Sequence, residues 1–372
     1  MGTTLELPAH HRVPVTWIRE HACAPIRLRT ALEILPPGTT PPDDLLLLRE
    51  EADQYRRVKQ AIRKQWQNGS WSGNMLGVAP MKSQGIKDVG TVAQYRHLLE
   101  LGLAADQRAF RLADRLLFRV LARDEDRALL FEYQKASKTN PPFAVWARDL
   151  LREGATCALA RAGRGEDPRV RGAAHRIISN VSHFLRSELS ERPLLRRGPR
   201  NVLHPEAHPP TVFVVALLAY IPRLQRERAG FVERLGAYLS KPTTKRAWVL
   251  EFGRKAVKPT FYVLGDPLHA DASGNPEDLP LAVHWIELLV RLGLLEVAPT
   301  AQKILTKLLR DCDEQGVWSP PNLRSMPHSN SKLADFACPL ELDSRAPEVR
   351  RADVTFRLAL IAKLAGWDLQ YT

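Results

Sequence analysis

The feature that most constrains this fold is a short motif that ends a helix-like stretch and occurs twice. Gln65, Gly69 and Trp71 form a complete Q-x-x-x-G-x-W motif, and Gly316 and Trp318 repeat its second half. Glycine lets the chain leave a helix in a left-handed conformation, and tryptophan supplies a large ring to bury against a neighbour. The motif therefore predicts one way of ending a helix, used more than once along the chain.

Apolar residues recur at helical spacing through most of the chain, whereas the alternating pattern and tight turns of strands are nearly absent. Several of these stretches close on glycine, at Gly102, Gly163, Gly293 and Gly366. Regularly spaced helix ends are typical of stacked helical pairs. The sequence thus predicts an all-α fold, with helices over residues 45–65, 94–103, 107–123, 212–221, 284–294, 301–310 and 353–365.

Composition narrows the class of protein further. No apolar run approaches the roughly 20 residues that span a membrane, so we expect no transmembrane segment. The four cysteines are scattered without paired spacing, and no secretory signal pattern precedes them, which together predict a cytoplasmic protein. The formal net charge of +13 is densest over residues 196–200 and 241–258. A solvated surface and an anion-binding face both explain a basic protein of this kind.

Gln65, Gly69 and Trp71 at one helix end, together with leucine-rich helices that close on glycine, resemble the α/α toroids of the squalene cyclase and protein prenyltransferase group. The resemblance covers roughly residues 45–370. It implies an α/α toroid of about five or six helical hairpins, with an N-terminal helical extension over residues 1–44 and the toroid over residues 45–372. In that group the motif is structural, because its Gln and Trp tie a helix end to its neighbour.

The chain departs from the catalytic motifs of that group. The Asp-x-Asp-Asp acid of the cyclases is missing, and Asp43-Asp44 lacks the third acid of a magnesium motif. Asp335 and Cys338 are not followed by the histidine that would complete a zinc site. The family's chemistries therefore do not carry over, no metal site is expected, and the sequence assigns no cofactor.

Candidate catalytic residues lie in loops that precede predicted helices. Asp266, His269 and Asp271 place an imidazole between two carboxylates, a set suited to acid–base chemistry near neutral pH, although ordinary turns use the same residues. Asp343 and Asp353 flank the start of the last helix, where an acid also suits the helix dipole.

Candidate ligand-binding residues fall into two groups. Tyr95 and Trp285 lie on predicted helices and either face a cavity or belong to the core. Lys82 and Lys87 lie in a long polar loop and are suited to contact a phosphate before a helix N-terminus.

Three functional hypotheses follow from these residues. The first is a divergent terpenoid-cyclase-like or prenyltransferase-like toroid that binds an apolar or isoprenoid-like ligand in a central cavity. The second is a non-catalytic helical scaffold that binds a protein or peptide. The third is an arginine-rich solenoid that binds nucleic acid through phosphate contacts, which is less favoured. The sequence leaves open whether the protein is an enzyme.

Overall fold

The computed structural model describes residues 7–77, 89–122, 126–243, 246–329, 331 and 339–372. These residues are predominantly helical, as the sequence predicts, but they also form six short strands that the sequence does not predict.

The chain divides into two compact units. The first contains residues 1–63, 97–104 and 268–372, and the second contains residues 64–96 and 105–267. The boundary between residues 44 and 45 stays a prediction. None of the described helices is both long and apolar enough to cross a membrane.

The elements follow one another mostly as helices of 4 to 21 residues, interrupted by strands of 3 to 5 residues. In chain order they are β1 (His10–Val13), α1 (Val15–His21), α2 (Ala24–Arg29), α3 (Pro42–Gln54), α4 (Arg56–Lys64), α5 (Thr91–Glu100), α6 (Arg108–Ala122), α7 (Gln134–Ser137), α8 (Pro141–Arg161), α9 (Pro168–Arg186), β2 (Leu194–Arg197), β3 (Arg200–Leu203), α10 (Val212–Ala219), α11 (Pro222–Glu227), α12 (Ala229–Leu239), β4 (Trp248–Phe252), β5 (Lys255–Val257), α13 (Leu279–Arg291), α14 (Pro299–Arg310), α15 (Pro347–Leu364) and β6 (Asp368–Tyr371).

The first unit is built around α15. Every residue from Ala352 to Ala362 is buried, so this helix has no solvent face over about three turns. α13 packs along it, and α1, α2 and β1 also contact it. β1 and β6 pair in parallel, from His10 opposite Asp368 to Val13 opposite Tyr371.

The second unit is built around α8, which packs against α6, α9 and α10. All eight residues of α10 are apolar and buried, which explains why this helix shows no amphipathic stripe. A four-stranded sheet with the order β2-β3-β4-β5 belongs to the same unit. Its strands have 3 to 5 residues and are too short to show a strand pattern in the sequence.

The first copy of the motif joins the end of α4 to its surroundings. Gln65 Nε2 donates hydrogen bonds to the carbonyl oxygens of Gly69 at 3.1 Å and Ala109 at 2.8 Å. Trp71 is 1% exposed, and its backbone N–H donates to Thr91 Oγ1 at 3.1 Å. The complete motif therefore contacts the start of both α5 and α6.

The second copy repeats this geometry in the first unit. Trp318 is buried, and its backbone N–H donates to Thr355 Oγ1, again at 3.1 Å. Gly69 and Gly316 have φ angles of +87° and +93°. A Cβ atom would lie 2.3 Å from a carbonyl oxygen of α6 at Gly69, and 2.1 Å from the carbonyl oxygen of Arg12 at Gly316. Conformation and space both require glycine at these two positions.

Helix ends agree with the sequence better than helix starts do. Gly102, Gly163, Gly293 and Gly366 follow the ends of α5, α8, α13 and α15, with φ between 67° and 78°. α13, by contrast, begins five residues before the predicted start, because Asp278 caps it by accepting the backbone N–H of Leu281 at 2.9 Å. The helix predicted over residues 45–65 is broken into α3 and α4.

Candidate functional site

The acids and the imidazole predicted between Gly265 and Asp271 have different surroundings. Asp266 is buried in the second unit, and its backbone N–H donates to Lys241 O at 2.7 Å. His269 and Asp271 belong to the first unit and are exposed. Asp271 accepts hydrogen bonds from the backbone N–H and the side-chain amide of Asn275, and these bonds lower its pKa. Asp271 therefore closes a turn, and a catalytic role for these residues stays a prediction.

Asp343 and Asp353 differ in the same way. Asp343 is exposed, whereas Asp353 is buried within α15. Asp353 Oδ2 accepts the backbone N–H groups of Leu340 and of Glu341, the latter at 3.1 Å. Burial raises the pKa of Asp353, and burial together with the nearby Asp353 charge raises the pKa of Glu341 to about 7.

A cavity beside Asp353 is too small for an organic ligand. Its volume of about 10 Å³ is close to the space that one water molecule needs. Its lining combines apolar side chains with two charged ones, and comprises Pro280, Val283, Pro327, Pro339, Asp353, Val354 and Arg357. Asp353 thus holds the loop before α15 in place, but the described residues beside it leave no room for a substrate.

The predicted ligand-binding aromatic residues are packed in the two cores. Tyr95 is fully buried, its hydroxyl donates to Asp114 Oδ1 at 2.6 Å, and its ring meets Phe110 edge-on at 4.7 Å. Trp285 is buried in α13. Lys82 and Lys87 lie outside the described residues, so their predicted contact with a phosphate stays a prediction.

Among the residues that the structure describes, the first unit contains a buried cluster of linked ion pairs. Glu100 accepts hydrogen bonds from Arg29 and Arg357, both at 2.8 Å. Arg357 also contacts Glu287 at 2.7 Å, and Glu287 contacts Arg291 at 2.9 Å. Arg29 extends the cluster to Glu33 at 2.6 Å.

Two arginines of this ion-pair cluster keep Glu287 ionised. Burial alone raises the pKa of a carboxyl, but Arg291 and Arg357 outweigh that effect and bring the pKa of Glu287 down to about 2. Arg29 is also stacked over the ring of Phe356, 4.8 Å from its centroid. Each of the three glutamates in this ion-pair cluster contacts at least one arginine. The cluster therefore has the properties of a structural core rather than of a reactive site.

A cleft of about 200 Å³ lies between α8 and α9 in the second unit. Charged groups and small or apolar residues alternate on its walls, which are formed by Leu121, Asp149, Arg152, Glu153, Pro168, Arg169, Gly172, Ala173, Arg176, Ile177 and Asn180. This volume exceeds the roughly 150 Å³ that accommodates benzene, but it is smaller than the roughly 300–1,000 Å³ of sites for drug-sized ligands. The cleft therefore suits a small ligand.

Glu153 is the most perturbed group of the cleft. Burial raises its pKa to about 8, a hydrogen bond from Thr211 opposes the rise, and the like charge of Asp149 adds to it. The Thr211 hydroxyl donates to Glu153 Oε2 at 2.6 Å. Thr211 is buried and is the N-cap of α10, so its position is fixed by that helix. Within the described residues Glu153 forms no ion pair with an arginine or lysine, and it is protonated at neutral pH.

Two arginines face the cleft close enough to repel one another. Burial and the charge of Arg176 both lower the pKa of Arg152. Asp149 lies 4.0 Å from Arg152, but its side chain is 55% exposed, so this contact compensates the two cations weakly. Arg169 is engaged elsewhere, because it binds Asp167 at 2.8 Å and stacks over Phe118. An anion between Arg152 and Arg176 would relieve their mutual repulsion.

The cleft can therefore bind an anion and exchange a proton with it. Arginine guanidinium groups recognise phosphates and carboxylates through two parallel hydrogen bonds. A carboxyl with a pKa near the working pH is suited to general acid–base chemistry. Among the described residues no group of three or more histidine, cysteine, aspartate or glutamate side chains is arranged to hold a metal ion.

Sequence reasoning missed this cleft, although a periodic signal is present. Asp149, Arg152 and Glu153 follow one another at i, i+3 and i+4 on α8. On α9 the lining positions 169, 172, 173, 176, 177 and 180 repeat at helical spacing. In a sequence, such a helix face normally indicates a solvent-exposed surface. The cleft arises because α8 and α9 pack side by side.

Comparisons of the chain with described protein families, with curated proteins and with solved structures found no match.

Proposed function

We propose that this protein binds a small acid in the α8–α9 cleft and that Glu153 exchanges a proton with the bound molecule. The observation that carries the proposal is Glu153 itself, whose pKa of about 8 lies in a cleft that also presents Arg152 and Arg176. Perturbed carboxyls in clefts concentrate at functional sites, because acid–base chemistry needs groups whose pKa lies near the working pH.

The walls of the cleft define the class of ligand. Arg152 and Arg176 supply the anion-binding end, while Leu121, Ala173 and Ile177 supply an apolar surface. The volume of about 200 Å³ admits a phosphate or carboxylate with a short hydrocarbon group. A protonated Glu153 donates a hydrogen bond or a proton to an oxygen of this acid, whereas an ionised Glu153 repels it.

We further propose that the chain is a divergent relative of the α/α-toroid group and that its ligand is isoprenoid-like. This relationship is supported by two Gly-x-Trp copies in which the tryptophan N–H contacts a threonine Oγ1 at 3.1 Å. It is also supported by the four helices that end before glycines of positive φ. A five-carbon prenyl diphosphate combines the acidic head with the short apolar group that the cleft favours.

Isothermal titration calorimetry at pH 7 tests the proposal with three probes: inorganic pyrophosphate, dimethylallyl diphosphate and dimethylallyl alcohol. We expect dimethylallyl diphosphate to bind most tightly, because it alone uses both the arginines and the apolar wall. The variant Arg176→Gln should weaken its binding by about tenfold or more, since hydrogen bonds to charged groups are worth about 1.5–3 kcal/mol.

Arg171→Gln is the matched control. Arg171 lies on the same helix, but it contacts Glu227 and does not line the cleft, so its loss should leave affinity unchanged. The affinity of the unaltered protein should fall above pH 8, and Glu153→Gln should remove that fall. Failure of both diphosphates to bind, or equal losses for Arg171→Gln and Arg176→Gln, would refute the proposal.

A further inference from the structure

The two most basic stretches of the sequence, residues 196–200 and 241–258, come together in the four-stranded sheet of the second unit. β2 and β3 form an antiparallel hairpin, with Arg197 opposite Arg200. β4 lies parallel to β3, with Trp248 opposite Asn201, so the start of β4 lies at the same end of the sheet as the hairpin turn. β5 runs antiparallel to β4, with Val257 opposite Leu250. The residue after β5, Lys258, therefore lies toward that end too.

These registers define a basic ribbon formed by Arg196, Arg197, Arg200, Arg246 and Lys258. All five residues are exposed. Glu251 contacts Arg197 at 3.0 Å and is the acid that compensates part of this charge. Within the described part of the chain, Arg196, Arg200 and Lys258 form no ion pair, so their charge is available to a partner.

The other end of the sheet, where Phe252 lies opposite Lys255, is anchored to the protein. The ring of Phe252 lies 5.6 Å from that of Phe143 and 5.3 Å from that of Trp146, both on α8. Lys255 Nζ lies 3.8 Å above the ring of Phe143. This packing holds the strands that carry the basic residues, so the ribbon presents its charges from a rigid element.

We propose that the basic ribbon binds the phosphate backbone of nucleic acid without reading its sequence. The charge is complementary, and the guanidinium group matches a phosphate through paired hydrogen bonds. The binding is independent of the small-acid cleft, since it uses none of the residues of that site.

The hairpin turn argues against a membrane surface as the partner. It consists of Arg197, Gly198, Pro199 and Arg200, and Pro199 is its one apolar side chain. Proteins that lie on membranes combine basic residues with Trp, Phe or Leu. On β2, Leu195 is the exposed apolar residue, at 36%. Five exposed cations beside one exposed leucine and one proline favour nucleic acid.

Fluorescence anisotropy of the full-length chain tests this proposal with a labelled 20-base-pair DNA duplex and a labelled 20-nucleotide RNA. With the three uncompensated cations neutralising about three phosphates, the slope of log affinity against log salt for the duplex should be about −2.7, since each contact contributes about −0.9. Affinity should therefore fall by about 40-fold between 50 and 200 mM NaCl. Binding of neither probe at 50 mM salt would overturn the proposal.

The double variant Arg196→Gln/Arg200→Gln should make the duplex slope shallower by about 2. Arg111→Gln/Arg115→Gln is its matched control, because it removes two exposed charges from α6 and none from the ribbon. We expect the control to bind as the unaltered protein does. Equal losses of affinity in both variants would show that net charge rather than the ribbon binds nucleic acid.

A separate experiment measures sedimentation of the protein with phosphatidylserine-containing vesicles. Binding to vesicles without binding to either nucleic acid would also refute the proposal.

Discussion

Glu287 and Glu153 are buried glutamates whose pKa values move in opposite directions. In the first unit, Glu287 lies between Arg291 and Arg357, and its pKa falls to about 2. In the second unit, Glu153 meets the hydroxyl of Thr211, and burial raises its pKa to about 8. Both side chains lose water, so desolvation alone cannot explain the difference.

The difference lies in what replaces the lost water. Two guanidinium groups stabilise the ionised form of Glu287 and make it a fixed charge of the core. One hydroxyl stabilises the ionised form of Glu153 too little to offset burial, so this carboxyl stays protonated near neutral pH and can exchange its proton. The paired glutamate belongs to the architecture, whereas the unpaired glutamate lies in a cleft with room for a ligand.

The largest effect is expected from breaking the paired cluster at Arg357. Arg357→Leu removes the cation shared by Glu100 and Glu287 and leaves both acids undercompensated in the core. Loss of one partner from a buried ion pair costs about 3–5 kcal/mol. Urea unfolding should show this loss as a lower midpoint.

Arg223→Gln is the control for that measurement. Arg223 also contacts two acids, Glu166 and Glu227, but all three side chains are substantially exposed. Exposed ion pairs contribute about 0–1 kcal/mol. Comparable losses for Arg223→Gln and Arg357→Leu would mean that burial does not set the value of the cluster.

The two glutamates show which features of the protein can be predicted from its sequence and which cannot. Local signals predict the helices and their glycine ends, because a left-handed residue after a helix needs no distant partner. The pKa of Glu153 depends on Thr211, 58 residues away, and no periodicity reports that contact. The strands of the basic ribbon are not predicted either. On β2, two arginines follow one another where a strand is expected to alternate apolar and polar residues.

The start of the last helix also differs from the prediction. The sequence predicts that Asp353 lies at its start, but Asp353 lies inside α15, which begins at Pro347.

The second effect concerns the pH dependence of stability. The folded pKa of Glu153, about 8, lies above its ordinary value, so its contribution is complete below about pH 4.5 and is lost as pH rises through 8. Relative to Glu153→Gln, the unaltered protein should lose about 1.4 kcal/mol of unfolding free energy per pH unit across this window. Unfolding midpoints of both proteins between pH 5 and 9 provide the measurement.

Glu287→Gln should show the opposite sign in a separate window. The folded pKa of Glu287 is about 2, so its stabilising contribution is present above about pH 4.5 and is lost as pH falls through 2. The difference in unfolding free energy between this variant and the unaltered protein should be constant from pH 6 to 8. A difference that varies there would contradict the assignment of Glu287 as a permanently ionised residue.

A smaller change is expected at Thr211. Thr211→Val removes the hydroxyl that stabilises the ionised form of Glu153, so the pKa of Glu153 should rise. One hydrogen bond contributes about 0.5–1.5 kcal/mol, which corresponds to about one pKa unit or less. Carbon-13 NMR titration of the Glu153 carboxyl reports the shift, and Thr211→Ser should restore the original value. A rise in Thr211→Ser as large as in Thr211→Val would assign the effect to packing at the start of α10.

The smallest effect tests whether like charge contributes at all. Asp149→Asn removes the negative charge one helical turn from Glu153, so the pKa of Glu153 should fall rather than rise. Screening of the exposed Asp149 by water limits its interaction with Glu153 to about 1 kcal/mol, which corresponds to about 0.7 pKa unit. The same NMR titration measures it, and Asp149→Glu should leave the pKa unchanged. If the pKa of Glu153 is unaltered in Asp149→Asn, burial alone raises it. The contrast between Glu153 and Glu287 would then depend only on the two arginines that contact Glu287.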